Sequence, residues 1–119
     1  MKKNILLEKS FQFALKSIEM YKVLIKSRNE YIMSKQFLKS STSVGANIRE
    51  SQNAQSKADF IHKLSIAQKE GAESIYWLEL LFQSEYITHQ EFYFLHTQAS
   101  ELLKIIKSII ISTKKGSEL

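Results

Sequence analysis

The chain has 119 residues with no Pro, no Cys and three Gly. A typical chain of this length carries about six Pro and eight Gly, so the punctuation of hairpins is missing and an all-β fold does not fit. The lack of Cys excludes disulfides, thiolate zinc sites and cysteine catalysis, while 17 Lys and Arg against 12 Asp and Glu give a net charge of +5.

The start, Met1-Lys-Lys-Asn-Ile-Leu-Leu-Glu8, has too short an apolar stretch before Glu8 for a signal peptide. The longest apolar run, Ile105 to Ile111, is broken by Lys107 and Ser108, so no membrane span is expected. The expectation is one soluble, cytoplasmic domain over residues 1–119, with helices at about 4–26, 35–52, 57–84 and 89–113.

The first helix is read from Leu7, Phe11, Ala14, Ile18, Tyr21 and Ile25, which recur at alternating steps of four and three and are assigned to its core seam. Ser34 is the expected N-cap of the second helix, with Met33 and Leu38 as a hydrophobic staple. Its seam is Phe37, Ser41, Val44 and Ile48, and the helix is rich in small residues that let a neighbour approach closely. Ser56-Lys-Ala-Asp59 resembles a capping box for the third helix, whose seam is Phe60, Leu64, Ala67, Gly71, Ile75, Leu78 and Phe82. Gly71 inside it marks a close helix crossing. Thr88-His-Gln-Glu91 is a full capping box for the fourth helix, with seam Phe92, Leu95, Ala99, Leu102, Ile106 and Ile109. Lys114 to Leu119 reads as a frayed tail. Four long helices with short links predict an all-α, antiparallel up-down four-helix bundle.

A lone bundle needs one apolar stripe per helix, yet three helices carry a second. Leu6, Phe13, Met20 and Leu24 lie about 100° around the first helix from its assigned seam. Ile66, Trp77 and Leu80 sit off the seam of the third, and Phe94 and Ile105 off that of the fourth. Repeated stripes make a contiguous patch, and such patches mark interfaces. They predict a homo-oligomer built from the outer faces of the first and third helices. The alternative is a wide core in a monomer.

The chemistry expected of the chain is not enzymatic. A carboxylate-bridged metal needs paired Glu-x-x-His motifs, and the one near match, Asp59-Phe-Ile-His62, has no counterpart. No phosphate loop, nucleophile elbow or His-Glu-x-x-His is present, so neither a metal nor another cofactor is expected. The positive charge is uneven, with +6 on residues 1–53 and −1 on residues 54–119. Lys35, Lys39 and Arg49 share one face of the second helix. Lys9 and Lys16 are a heptad apart on the first, and Lys26 and Arg28 sit near the first turn. These cations are the candidate nucleic-acid contacts, acting on phosphates and shape without reading bases. Solvated helix faces are the alternative.

Three stretches resemble a known family: Ser34-Lys-Gln-Phe-Leu-Lys-Ser-Ser-Thr-Ser-Val-Gly-Ala-Asn-Ile-Arg-Glu50, Ser56-Lys-Ala-Asp-Phe-Ile-His-Lys-Leu-Ser-Ile-Ala67 and Glu73-Ser-Ile-Tyr-Trp-Leu-Glu-Leu-Leu81. They look like the four-helix-bundle family first noticed in open reading frames of 23S ribosomal RNA intervening sequences. Many members carry Pro where Gly45 stands, so a Pro kink in the second helix is not carried over. The resemblance implies a homopentameric ring without catalytic residues. A relative, the accessory variability determinant of diversity-generating retroelements, is a basic pentamer that binds nucleic acid and a reverse transcriptase. The partners this implies are further copies of the chain, RNA or DNA, and a reverse transcriptase or other protein. A scaffold that binds only proteins is the runner-up.

Overall fold

Four helices fill residues 4–116, the part of the chain that the computed structural model describes: α1 (Ile5–Ser27), α2 (Met33–Ser51), α3 (Lys57–Gln83) and α4 (His89–Gly116). Among the described residues there is no strand. Each helix packs on its neighbours in the chain, and α4 closes back on α1; the diagonal pairs do not meet. Adjacent helices are antiparallel, as contacts at their ends show. Asn4 at the start of α1 donates to Gln52 beyond the end of α2, and Arg28 just past the end of α1 donates to Glu91 in the first turn of α4. Phe82 near the end of α3 stacks on Phe92 early in α4. The result is a rod of 52 × 26 × 21 Å.

On α1 the two apolar stripes are the reverse of the sequence assignment. Leu6, Ser10, Phe13, Ser17, Met20 and Leu24 face the core. Leu7, Phe11, Ala14, Ile18, Tyr21 and Ile25 lie beside α2, half-buried or exposed. Both stripes have the same steps, so the period alone does not choose between them. Packing does: the narrow core alternates large side chains with Ser10 and Ser17, which let α2 come close. A Cβ built on Gly45 of α2 would lie 3.4 Å from the Ser10 carbonyl oxygen. Leu6, Phe13, Met20 and Leu24 are therefore core residues and offer nothing to a second copy.

α2 is held by small polar residues. Ser34, Ser40, Ser41 and Ser51 are buried, and each hydroxyl donates to a carbonyl three or four residues back. That local bond satisfies the hydroxyl inside the core without asking for a partner elsewhere. Ser74 of α3 also donates to Ser40 at 3.1 Å, which ties the two helices at their centre.

The start of α2 differs from the expected cap. Ser34 lies inside the helix, and the buried Glu30 caps it instead. Its carboxylate accepts from the backbone N–H groups of Ile32, Met33 and Ser34 at 3.2, 3.0 and 2.6 Å. Burial pushes this carboxyl up, but the three N–H donors outweigh it and hold the group below the usual carboxylate range. A carboxylate at a helix N-terminus also suits the macrodipole.

The Thr88 box forms as the sequence suggests, and the Ser56 box does so on one side only, its Asp59 reaching the Gln55 N–H and not that of Ser56. Ser56 accepts from the Asp59 N–H, and Asp59 accepts in return from Gln55. Thr88 and Glu91 exchange bonds at 3.1 and 2.8 Å. A Cβ on Gly71 would fall 2.8 Å from a methyl of Leu103, so α3 and α4 do cross closely there. α4 continues in helix to Gly116, so Lys114 to Gly116 are not frayed; the remainder of the predicted tail, residues 117–119, lies outside the described residues. Two residues turn the chain with positive φ, Asn29 at 55° after α1 and Glu85 at 67° after α3.

Candidate nucleic-acid interface

The helix packing sorts the candidate cations into three places. Lys35, Lys39 and Arg49 project from the solvent side of α2 and are exposed. At 1.5 Å per residue they span about 21 Å along the rod. Glu50, which follows Arg49 in the chain, is engaged by Lys63 of α3 at 3.1 Å. Lys39 also faces Glu70 of α3 electrostatically.

Lys9 and Lys16 lie on the α4 side of α1, away from that stripe. Lys9 pairs with Glu101 at 2.9 Å and Lys16 with Glu19 at 3.4 Å. Arg28 is further removed from any phosphate role. Its guanidinium grips both carboxylate oxygens of Glu91 at 2.7 and 2.8 Å and donates to the Tyr86 carbonyl at 2.8 Å. The hydrogen-bonded Arg28 pulls the Glu91 carboxyl down to about 2, and Glu91 raises the Arg28 value in turn. This is a structural clamp between the end of α1 and the turn before α4. Lys26, two residues before Arg28, is exposed at the same end of the bundle.

Beside the α2 stripe runs a groove between α1 and α2. Its volume is about 380 Å³, and Leu7, Phe11, Ala14, Gly45 and Ala46 supply its apolar lining. Thr42, Arg49 and Glu50 line its α2 side. Phe11 is 49% exposed, and the Arg49 guanidinium lies 5.8 Å from the centre of its ring.

Apolar surface elsewhere sits on α1, α3 and α4. Ile5 and Leu15 of α1, Tyr76 of α3, and Tyr93 and Phe94 of α4 are all exposed. Phe94 stands with Val23, Lys16 and Glu19 at the α1–α4 junction. Of the predicted α3 stripe, Ile66 and Leu80 are half-buried, and Trp77 rests partly on the core. Trp77 meets Tyr76 edge-on and donates to Glu73 at 3.4 Å. Among the described residues no three His, Asp or Glu side chains gather as a metal set, and no helix is long and apolar enough to cross a membrane.

The model of the 23S rRNA-intervening sequence protein family matches residues 2–108. The chain belongs to this family. A crystal structure from Bacteroides thetaiotaomicron, described as a protein with unknown function from the S23 ribosomal protein family, is similar to it. The two share 48% identity and a TM-score of 0.88, over 89% of this chain and 98% of that one. No curated protein matches. All three strings that pointed to the 23S rRNA-intervening sequence family include core residues, with Val44 and Ile48 in the first, Leu64 and Ala67 in the second and Leu78 and Leu81 in the last.

Sequence reasoning missed the pairing of Phe11 with Arg49, because Phe11 was placed in the core. It also missed Glu91 as the partner of Arg28. The signal for the second was present: the Glu of a capping box has one oxygen left over for a cation.

Proposed function

We propose that this protein is a non-enzymatic, cytoplasmic, self-associating bundle that binds nucleic acid weakly through phosphates. The observation that carries the reading is the exposed row Lys35, Lys39 and Arg49 on α2, in a molecule where Lys9, Lys16 and Arg28 are already engaged by carboxylates. Among the described residues the row forms no ion pair within 4 Å, though Lys39 lies in the field of Glu70, and exposed cations of this kind are what counterion release draws on. The number of charges is small, so copies of the row brought together by assembly multiply a weak contact. RNA or DNA is the partner class. A reverse transcriptase, or another protein, is a further partner by family resemblance.

The test is binding to RNA and DNA across a salt series. Affinity at low salt should fall as salt rises. The triple variant Lys35→Glu, Lys39→Glu, Arg49→Glu should lose at least tenfold and flatten the salt slope by about two to three. Absence of salt-sensitive binding by the native chain rejects the reading.

Self-association rests on the exposed apolar residues of α1, α3 and α4 named above. Opposed unlike faces, α1–α4 of one copy against α3 of the next, close into a ring, and the pentamer follows from the family resemblance. Sedimentation of the native chain should give a defined oligomer. Phe94→Glu, at a position 50% exposed, should release monomers that keep their helix content. A native chain that sediments as a monomer overturns the assembly.

A second reading is a scaffold that binds only proteins. The same exposed aromatic surface favours it, and it is the outcome left standing if nucleic acid does not bind.

A further inference from the structure

We propose that the groove between α1 and α2 receives an unstacked nucleobase, so that single-stranded nucleic acid is the preferred form. The proposal rests on the nucleic-acid reading above and adds a base site to it.

Three observations converge on one place. The groove holds about 380 Å³ and its lining is mostly small or apolar, Ala14, Gly45 and Ala46 among it; the one carboxylate in the lining, Glu50, is paired with Lys63. At its edge stand two flat groups that bases stack on, the Phe11 ring and the Arg49 guanidinium, already in contact with each other. Alongside runs the cation row of α2, which would hold the backbone of the same strand.

Exposed Phe rings cost solubility, and a charged residue laid over one is a common way of shielding it. What distinguishes this ring is the open space next to it. A base entering that space covers the ring that Arg49 now half-covers, while Arg49 remains beside the strand as a cation. Thr42, on the groove wall, supplies a hydroxyl within the same space. Base–aromatic stacking next to a positive track is the usual chemistry of single-strand binding, and it tolerates any sequence.

A duplex cannot use the groove. Its bases are stacked and paired, and taking one out costs the pairing and stacking it had. A straight helical rod also touches few phosphates of a rigid duplex. A single strand can follow the cation row and turn one base inward at no such cost.

The experiment compares a short single-stranded oligonucleotide of mixed sequence with its blunt duplex, by fluorescence anisotropy over a salt series. Four variants are measured: Phe11→Leu, Phe11→Tyr, Ala46→Trp and the triple charge reversal. Phe11 and Ala46 are both exposed, so these changes leave the core alone; melting curves check this. The native chain should prefer the single strand by about tenfold. Phe11→Leu keeps apolar area but loses the flat ring, and should abolish the preference. Ala46→Trp fills the groove and should do the same. Phe11→Tyr should retain it. In all three, duplex affinity and salt slope should stay as in the native chain. Equal affinity of the native chain for the two forms overturns the base site. So does an unchanged preference in both Phe11→Leu and Ala46→Trp. In either case, loss of binding in the triple variant would show that the phosphate reading survives. If neither form binds at low salt, the parent reading fails and the base site with it.

Discussion

Phe13→Ala should lower the unfolding free energy by about 3–5 kcal/mol, whereas Phe11→Ala, two residues earlier, should cost less than about 1 kcal/mol. The contrast follows from position alone. Phe13 is fully buried and meets Phe37 of α2 edge-on, with ring centres 6.5 Å apart. Its removal leaves a cavity at the centre of the rod and breaks an aromatic pair worth about 0.5–1.5 kcal/mol beyond its area. Phe11 is 49% exposed and gives up little surface on truncation. Denaturation in urea at low protein concentration reads both values. The reverse ranking would mean that α1 is turned by about 100° about its axis, which would close the α1–α2 groove and remove the base site proposed above.

That pair of residues also shows how far the sequence could be read. Four helices, their links and most of the inner faces of α2, α3 and α4 were legible because a second apolar stripe is missing on α2 and incomplete on α3 and α4. On α1 there were two stripes with equal steps, and hydrophobicity favoured the wrong one. Leu7, Phe11, Ile18, Tyr21 and Ile25 are together greasier than Leu6, Ser10, Phe13, Ser17, Met20 and Leu24. The core chose the second because a narrow bundle needs small residues where helices cross, and Ser10, whose hydroxyl donates to the Leu7 carbonyl, serves as one. Gly45 opposite Ser10 was the available signal, a small residue on α2 asking for a small one on α1.

The α2 cap failed for a related reason. Ser34 has the residue type of an N-cap, but a Glu four residues earlier reaches three N–H groups at once. A chain turn through Asn29, whose φ is positive, is what brings Glu30 back over the helix start. The bonds span only two to four residues, but they depend on the backbone turn at Asn29 and not on the residue type at the cap position. The charge pattern had the same limit. Net charge placed the basic half correctly, yet only the fold could say which cations already had partners.

Arg28→Met should destabilise the bundle by about 1–2 kcal/mol at neutral pH and by progressively less in acid. The guanidinium holds three acceptors, two on Glu91 and one on the Tyr86 carbonyl, at 2.7 to 2.8 Å. Glu91 is drawn down to about 2 from an ordinary 4.5, first by the Arg28 hydrogen bonds. A carboxyl whose folded value is depressed contributes stability that is fully present above its unfolded value. That contribution is lost as pH falls from about 4.5 towards about 2. At full weight the depression is worth about 3 kcal/mol. Both partners are 29% exposed, and solvent screening brings the expected figure down to about 1–2 kcal/mol. Met keeps the apolar stem of Arg28 while removing the charge, so lost packing contributes little. Chemical denaturation of both chains at a series of pH values is the measurement. The two stabilities should differ most at neutral pH and draw together as pH falls towards 2, where Glu91 is about half protonated in the native chain. The variant should keep some acid sensitivity of its own, because Glu30 is also held low and at the same end of the rod. Glu91→Gln tests the other partner: it retains an acceptor for the Thr88 N–H but leaves Arg28 without its anion. If Arg28 and Glu91 act as one clamp, the double variant will cost little more than either single one. A constant gap across the whole pH range would assign the stability of this end to packing and not to the ion pair.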